Sequence, residues 1–317
     1  MSQASRALAH AFDTGALAPR RAFFLRAEDP PFADIVCEQS LRPDFLKLDQ
    51  ATPRIGSGSW PLGLMLLTKH KEENLANIAR GWSLLEPGGT LVCAGANDDG
   101  AASLEKQVRK ALGLEDTLSK FHARVFWLTK SEREPPEYWR GLAELQRVEG
   151  GWFSKPGIFA WDRVDDGSAL LARYLPDDLA GPIADFGCGW GYLAQRMLQP
   201  AVTSLDLIDA EHLALDAARA NVVDVRTAFH WLDLAREPAP AIYDAIVCNP
   251  PFHTGRASTP ALGQAIIEAA ARALRPGGRF YMVANRGLPY APMLKAHFGG
   301  FETLADNNKF RVTRAVR

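Results

Sequence analysis

The sequence predicts an α/β protein of two tandem domains: the second a mostly parallel, seven-stranded sheet ending in an antiparallel hairpin, the first a degenerate copy of it. Three observations carry this. Between residues 181 and 313 short apolar strands alternate with helical patterns, which marks a parallel sheet with helices on both faces. The first of these strands closes on a glycine-rich turn, Gly187-Cys188-Gly189-Trp190-Gly191. Finally, Leu85-Glu86-Pro87-Gly88-Gly89-Thr90-Leu91-Val92-Cys93 echoes Leu274-Arg275-Pro276-Gly277-Gly278-Arg279-Phe280-Tyr281-Met282, and an echo at that separation implies duplication of a whole domain rather than a solenoid repeat.

Taken in order, the strands are expected at 181–186, 203–208, 225–230, 243–248 and 279–284, with helical stretches at 192–198, 211–221 and 260–274 between them. The segments Phe301-Glu302-Thr303-Leu304 and Phe310-Arg311-Val312-Thr313, joined through Asp306-Asn307-Asn308, read as a hairpin. Earlier in the chain Ala22 to Leu25 reads as a strand, but no glycine-rich turn follows it. The offset that places Pro87 on Pro276 also places Trp60 on Asn249, so the first half is expected to keep the fold and lack the site. Ser131 to Glu137 is charged and proline-rich and Pro156-Gly157 is a turn signal, so a linker is expected there, with domains at 1–150 and 151–317.

Composition narrows the class. The 317 residues suit two domains, with 47% hydrophobic and 23% charged residues, the balance of a globular protein. A net charge of -1 gives no global basic field, so any nucleic-acid partner must be held by local patches. Two such patches are Arg20, Arg21 and Arg26, and Arg286, Lys295, Lys309, Arg311, Arg314 and Arg317; solvated faces are the alternative. The cysteines, Cys37, Cys93, Cys188 and Cys248, are scattered, which suggests neither a metal site nor a disulfide framework. No apolar leader opens the chain and no run reaches the roughly 18 to 20 apolar residues of a spanning helix. A cytoplasmic monomer without membrane or metal partners is expected.

Four constellations bear on chemistry. Asp185 to Gly191 closes a strand and opens a helix at the sheet edge where α/β folds bind ligands; its G-x-G-x-G spacing, with no following Lys-Ser/Thr, excludes a P-loop and fits a nicotinamide fingerprint poorly. Asp209 lies about 20 residues downstream, where a ribose-binding carboxylate belongs. Asp206 competes for that role, and a helix N-cap is the plain alternative. Asp233, after the third strand, is an acceptor for an adenine amine or else a turn residue. Fourth, Cys248-Asn249-Pro250-Pro251-Phe252-His253 stops a buried strand on an amide and two prolines. If the ligand is an adenosyl sulfonium, the Asn249 amide oxygen and the Pro250 carbonyl can accept the two hydrogens of an aromatic amine. That aims its lone pair at the methyl group while Phe252 stacks on the base.

These motifs, Asp185 to Gly191, Asp209, Asp233 and Asn249-Pro250-Pro251-Phe252, resemble those of class I S-adenosylmethionine-dependent methyltransferases acting on exocyclic amines. More narrowly, Pro156-Gly157-Ile158-Phe159, Asp165-Asp166-Gly167-Ser168, His253, Gly255 and Val283 through Tyr290 resemble the ribosomal RNA guanine-N2 methyltransferases of the RsmC/RlmG type, as do Ala94 through Lys106 in the first half. The resemblance implies two tandem class I methyltransferase-like (Rossmann-like) domains. The first is without a cofactor site and supports the fold and RNA docking; the second is catalytic. It also implies S-adenosyl-L-methionine as cofactor and guanine N2 of ribosomal RNA or a ribosomal subunit as substrate, 16S before 23S. Cofactor-binding residues would be Asp185, Gly187, Gly189, Gly191, Asp209, Asp233 and Asn249, with Phe159 and Ser168 along the pocket. Asn249, Pro250, Phe252 and His253 would be catalytic, His253 touching a guanine edge or serving only as a turn neighbour. Adenine N6, cytosine N4, a protein glutamine amide, or a non-catalytic RNA-binding module remain the alternatives.

Overall fold

The computed structural model describes residues 1–251, 253–254, 257–258 and 260–317, with the backbone alone at 253, 254, 257 and 258. Two compact units result, Met1–Gln146 with Lys155–Gly157, and Arg147–Ser154 with Ile158–Arg317.

In the second unit seven strands run Gly181–Phe186, Val202–Asp209, Thr227–Trp231, Tyr243–Cys248, Leu274–Asn285, Gly300–Asp306 and Phe310–Val316. Numbered along the chain they lie in the order 3-2-1-4-5-7-6. The first five pair in parallel, and the terminal hairpin joins antiparallel through the seventh. Successive side chains alternate between two buried faces. Ile183, Leu205, Leu207, Ala245 and Val247 pack with Leu171, Leu193 and Leu215 on one face; Ala184, Phe186, Ile246, Cys248 and Phe280 pack with Ile267 and Leu294 on the other. Ile267, fully buried on helix Pro260–Ala273, contributes about 2 kcal/mol by its transfer from water. The segment Arg275-Pro276-Gly277-Gly278 is looped out of the fifth strand, whose pairing passes from Tyr243↔Leu274 to Ala245↔Arg279.

The first unit repeats this plan. Its strands, Ala22–Leu25, Ile35–Glu38, Ala51–Thr52, Trp60–Leu66, Leu85–Ala96, Asp116–Lys120 and Ala123–Thr129, take the same 3-2-1-4-5-7-6 order. Register corrects the gapless offset between the copies. Met65 pairs with Cys93 as Cys248 pairs with Met282, so Leu66, not Trp60, stands at the position of Asn249. The offset fails because residues 249–259, from Asn249 to the helix, are replaced in the first unit by the shorter 66–70. No amide-proline-proline tip exists at the corrected position either.

At the carboxyl edge the copies diverge. Leu25 pairs with Met65 as Phe186 pairs with Cys248, which puts Arg26 where the second unit has Gly187. Arg26 retains a positive φ of 53° against 77° for Gly187, an uncommon conformation for a side-chain-bearing residue. Its guanidinium is held by Glu73 Oε1, with Nε at 2.7 Å, and by Ser40 Oγ. Glu73 also accepts from Thr68 Oγ1 at 2.8 Å, and a Cβ on Gly157, at φ 100°, would stand 3.1 Å from the Glu73 carboxyl carbon. Glu38, at the end of the second strand, is gripped through both oxygens by Arg80. Internal ion pairs thus fill this edge.

Two further expectations are revised. Arg26 is half-buried and engaged by Glu73 rather than offered to RNA phosphate, and Arg21 lies over the Trp60 ring at 4.5 Å. Ser131 to Glu137 is no free linker: the Arg133 carbonyl accepts from Trp82 Nε1, and Trp139, on helix Glu137–Leu142, is buried in the first unit's core. Large aromatic burial outweighs a charged, proline-rich flank. No helix among the described residues is long and apolar enough to cross a membrane.

Breaking a buried ion pair leaves an uncompensated charge, whereas replacing both partners with apolar groups does not. Glu73→Ala should therefore lower unfolding free energy by roughly 3 kcal/mol, read from urea midpoints, and Arg26→Met/Glu73→Leu should recover much of that loss.

Candidate active site

The site grows from the ends of adjacent strands. After Phe186 the chain passes through Gly187, Gly189 and Gly191 at φ 77°, 53° and 87°. Gly191 is doubly constrained, since a Cβ there would also come within 2.8 Å of Val222. The N–H groups of Gly187 and Cys188 donate to the Ile208 carbonyl, and Gly189 N–H donates to Asp209 Oδ2 at 2.8 Å. Asp209 Oδ1 accepts from Glu211 N–H at 2.8 Å. Asp209 is thus a strap between the glycine loop and the end of the second strand. The N-cap of helix His212–Asn221 is Glu211, whose side chain accepts from Leu213 N–H. Asp206 lies further back in the strand, accepting from Tyr243 Oη at 2.6 Å with His230 Nε2 3.1 Å away, so it does not reach the edge where Asp209 stands.

On the other side of the loop the fourth strand delivers Asn249. Its Nδ2 donates to Asp165 Oδ2 and to Ser168 Oγ, both at 2.9 Å. Asp165 is also the N-cap of helix Asp166–Tyr174, accepting from Ser168 N–H at 2.8 Å. A cleft opens here, lined by Gly187, Cys188, Gly189 and Trp190 from the loop and by Asn249, Asp165, Ser168 and the exposed Phe159. Trp190 is braced by Trp152 and Tyr192, with ring centroids 5.1 and 5.7 Å away. Its carbonyl accepts from Asn221 Nδ2. Pro250 is buried beside Asn249, and the backbone of His253–Thr254 pairs antiparallel with Ala257–Ser258. Phe252, Gly255 and the side chain of His253 lie outside the described residues.

The remaining predicted acids differ in surroundings. Asp185 is fully buried, and neither of its oxygens has a hydrogen-bond partner among the described residues. Burial, then the charge of Asp209, pushes its carboxyl up to about 8. Burial also pushes Asp209 up to about 6, against the pull of the Glu211 and Gly189 N–H groups. The same burial drives the Cys188 and Cys248 thiols well above their ordinary range, so neither is a ready nucleophile. Asp233 is held within its own turn, accepting from Ala235 N–H at 3.1 Å and pairing with Arg236; it does not line the cleft. No trio of His, Cys, Asp or Glu among the described residues could hold a metal ion.

An orphaned buried carboxyl is costly unless something supplies a donor or a cation. Asp185 lies beneath the cleft and does not line it; the cleft, the glycine turn and Asp209 beside it fit the nucleoside part of a sulfonium ligand. Sequence reasoning singled out Ser168 but missed Asp165 as a partner of Asn249. The D-x-x-S spacing signals only a helix start, and nothing local ties it to a strand end 84 residues on. The C-terminal basic cluster is mostly paired internally: Arg286 and Arg311 with Asp306, Lys309 with Asp166, and Arg314 with Glu302.

Residues 150–314 match the family described as Methyltransferase small domain. The chain is 32% identical over 242 residues to the ribosomal RNA small subunit methyltransferase C of Shewanella piezotolerans (strain WP3 / JCM 13877), covering 74% of this chain and 70% of that one. It is 33% identical over 295 residues to the protein of that name from Pseudomonas aeruginosa (strain UCBPP-PA14), covering 87% and 84%. Among solved structures, the T. thermophilus 16S rRNA N2 methyltransferase (RsmC) in complex with AdoMet and guanosine aligns at a TM-score of 0.78 and 24% identity, over 99% of this chain and 93% of that one, which is a likeness of fold. The paired 3-2-1-4-5-7-6 sheets, the glycine loop beside an Asn-Pro-Pro strand end, and these similarities agree: the chain belongs to the ribosomal RNA small subunit methyltransferase C family.

Proposed function

We propose that the second unit transfers the methyl group of S-adenosylmethionine to the exocyclic N2 amine of a guanine in 16S ribosomal RNA. The observation that carries this reading is the Asn249 amide, whose NH2 end is occupied by Asp165 and Ser168 while the residue lines the cleft beside the glycine loop. The named activity of the curated relatives supports ribosomal RNA over a protein amide or another base. When bound, S-adenosylmethionine supplies an electrophilic methyl group on sulfur.

The chain's own residues then do the following. Gly187, Gly189 and Gly191 would let the backbone come close to the cofactor and Asp209 would accept from the ribose hydroxyls, while Asp233 stays within its own turn. Asp185 answers the cofactor's positive charge. An aromatic amine is a weak nucleophile because its lone pair is delocalised into the ring. Asn249 Oδ1 and the Pro250 carbonyl accept its two hydrogens, bend the nitrogen toward tetrahedral geometry and aim the lone pair at the methyl carbon. Phe252 stacks on the base and His253 meets its edge. No strong base is required before transfer, since the proton becomes acidic only on the methylated nitrogen. The first unit supports the fold and contributes to RNA docking, and the protein acts as a cytoplasmic monomer.

Labelled methyl transfer to undermethylated 16S RNA and to small subunits, followed by nucleoside analysis, tests the whole reading. Label in N2-methylguanosine is expected; label in another base, or none, overturns it. Asn249→Ala should cut turnover about 100-fold with cofactor affinity nearly unchanged, and near-normal turnover would sink the acceptor role.

Asp209→Ala should instead weaken cofactor binding roughly 10- to 100-fold by calorimetry, the loss of charge-assisted hydrogen bonds. Asp185 gives a pH signature. Its folded pKa, about 8, exceeds that of the unfolded chain, so its contribution to stability is complete below the ordinary carboxyl range and is lost as pH rises toward about 8. In cofactor-free protein, Asp185→Asn should therefore raise the urea midpoint more at pH 8 than at pH 5, while weakening cofactor binding. An equal effect at both pH values would refute the titration.

A further inference from the structure

We propose that Asp165 and Ser168 are positioning residues for methyl transfer: together they clamp the Asn249 amide so that its oxygen, and not its nitrogen, faces the cleft. This rests on Asn249 acting as the amine acceptor.

The two ends of an asparagine amide have nearly the same size and shape, so packing alone does not choose between them; the partners do. A carboxylate offers only acceptors. The atom 2.9 Å from Asp165 Oδ2 is therefore the NH2 group, and its second hydrogen goes to Ser168 Oγ at 2.9 Å. Both amide hydrogens are used. A flipped amide would set its carbonyl oxygen against the carboxylate, acceptor against acceptor, and would offer the cleft an NH2 group that opposes a substrate NH2. Asn249 Oδ1 receives no donor among the described residues, and Asn249 lines the cleft, so this oxygen is the one left for a ligand.

The clamp is rigid because its parts belong to regular elements. Asp165 Oδ2 also accepts from Ser168 N–H, which makes one oxygen both helix cap and amide anchor. Helix Asp166–Tyr174 is fixed in turn by Leu171, fully buried in the face that contains Ile183 and Val247. The amide is thereby oriented before substrate arrives, the condition under which a hydrogen-bond acceptor serves catalysis rather than simple binding.

The cap and the clamp separate by substitution. In Asp165→Ser/Ser168→Ala the serine hydroxyl still caps the helix but is too short to reach Asn249. Turnover should fall about 10- to 100-fold with cofactor affinity within about twofold. The same two changes made in an Asn249→Ala background should lower the residual turnover no further, since a clamp acts only through the amide. Asp165→Asn, whose side-chain oxygen can accept from both Ser168 N–H and Asn249, should restore most of the turnover.

A readout independent of turnover is the side-chain amide of Asn249 in nitrogen-15 spectra of the cofactor-free protein, identified by its loss in Asn249→Ala. Its slowed hydrogen exchange should disappear in the double variant. Unchanged turnover and unchanged exchange in that variant, with Asn249→Ala impaired, overturn the clamp and leave the acceptor reading standing. A full further loss in the Asn249→Ala background also overturns it. Near-normal turnover of Asn249→Ala removes the reading beneath both. Ser168→Ala alone leaves the cap intact and supplies the same comparisons should the double variant fail to fold.

Discussion

The site depends on the in-register pairing of Phe186 with Cys248. Because the first and fourth strands are neighbours in parallel, the chain segments that leave them emerge side by side, and a Cβ on Gly187 would stand 3.8 Å from the Asn249 carbonyl oxygen. This is the reversal point of the strand order, where the helices on either side diverge and a crevice must open. The pleat decides which side chains serve it. Asp185 pairs across to Val247, so Asp185, Val247 and Asn249 lie on one face, the face that Leu171 and helix Asp166–Tyr174 cover. A register shift of one residue would turn Asn249 to the opposite face and away from Asp165 and Ser168.

The two units carry different residues at the same edge of the same sheet. Both keep the positive φ after the first strand, at Arg26 and at Gly187. In the first unit that turn carries a guanidinium, and the edge closes on Arg26, Glu73 and Ser40, with Glu38 and Arg80 beside them. The second strand's acceptor has changed in kind too: Gln39 spends its amide on the Ala27 carbonyl and on Leu41 N–H, whereas Asp209 offers a carboxylate to the loop. Every charge of the first edge is answered within the chain. In the second unit neither oxygen of the buried Asp185 has a hydrogen-bond partner among the described residues.

Much of this was legible in the sequence, and the parts that were not share a cause. Strands such as Tyr243–Cys248 and Gly181–Phe186 declare themselves because both faces are buried and all but one position in each, Asp244 and Asp185, is apolar or small. Ile35–Glu38 and Ala51–Thr52 are too short to show a period. The glycine turn was readable as a turn, since few other residues adopt three positive φ values within five positions. The copies' equivalence was misread by six positions at the fourth strand, because a gapless offset has no knowledge of the longer segment that follows Cys248.

The parts are written locally in the chain: an alternating α/β pattern, a glycine loop, a carboxylate after the second strand and an Asn-Pro-Pro stop after the fourth. These are local, fixed by backbone sterics and by the period of apolar residues. The partner of each carboxylate, by contrast, follows from contacts made in the folded chain. Asp206 is taken by Tyr243, Asp209 by the loop, Asp233 by its own turn, and Asp165 by Asn249. Hydrogen bonds are directional over less than 3 Å, and residues 84 positions apart meet at that distance only after the sheet has set their register.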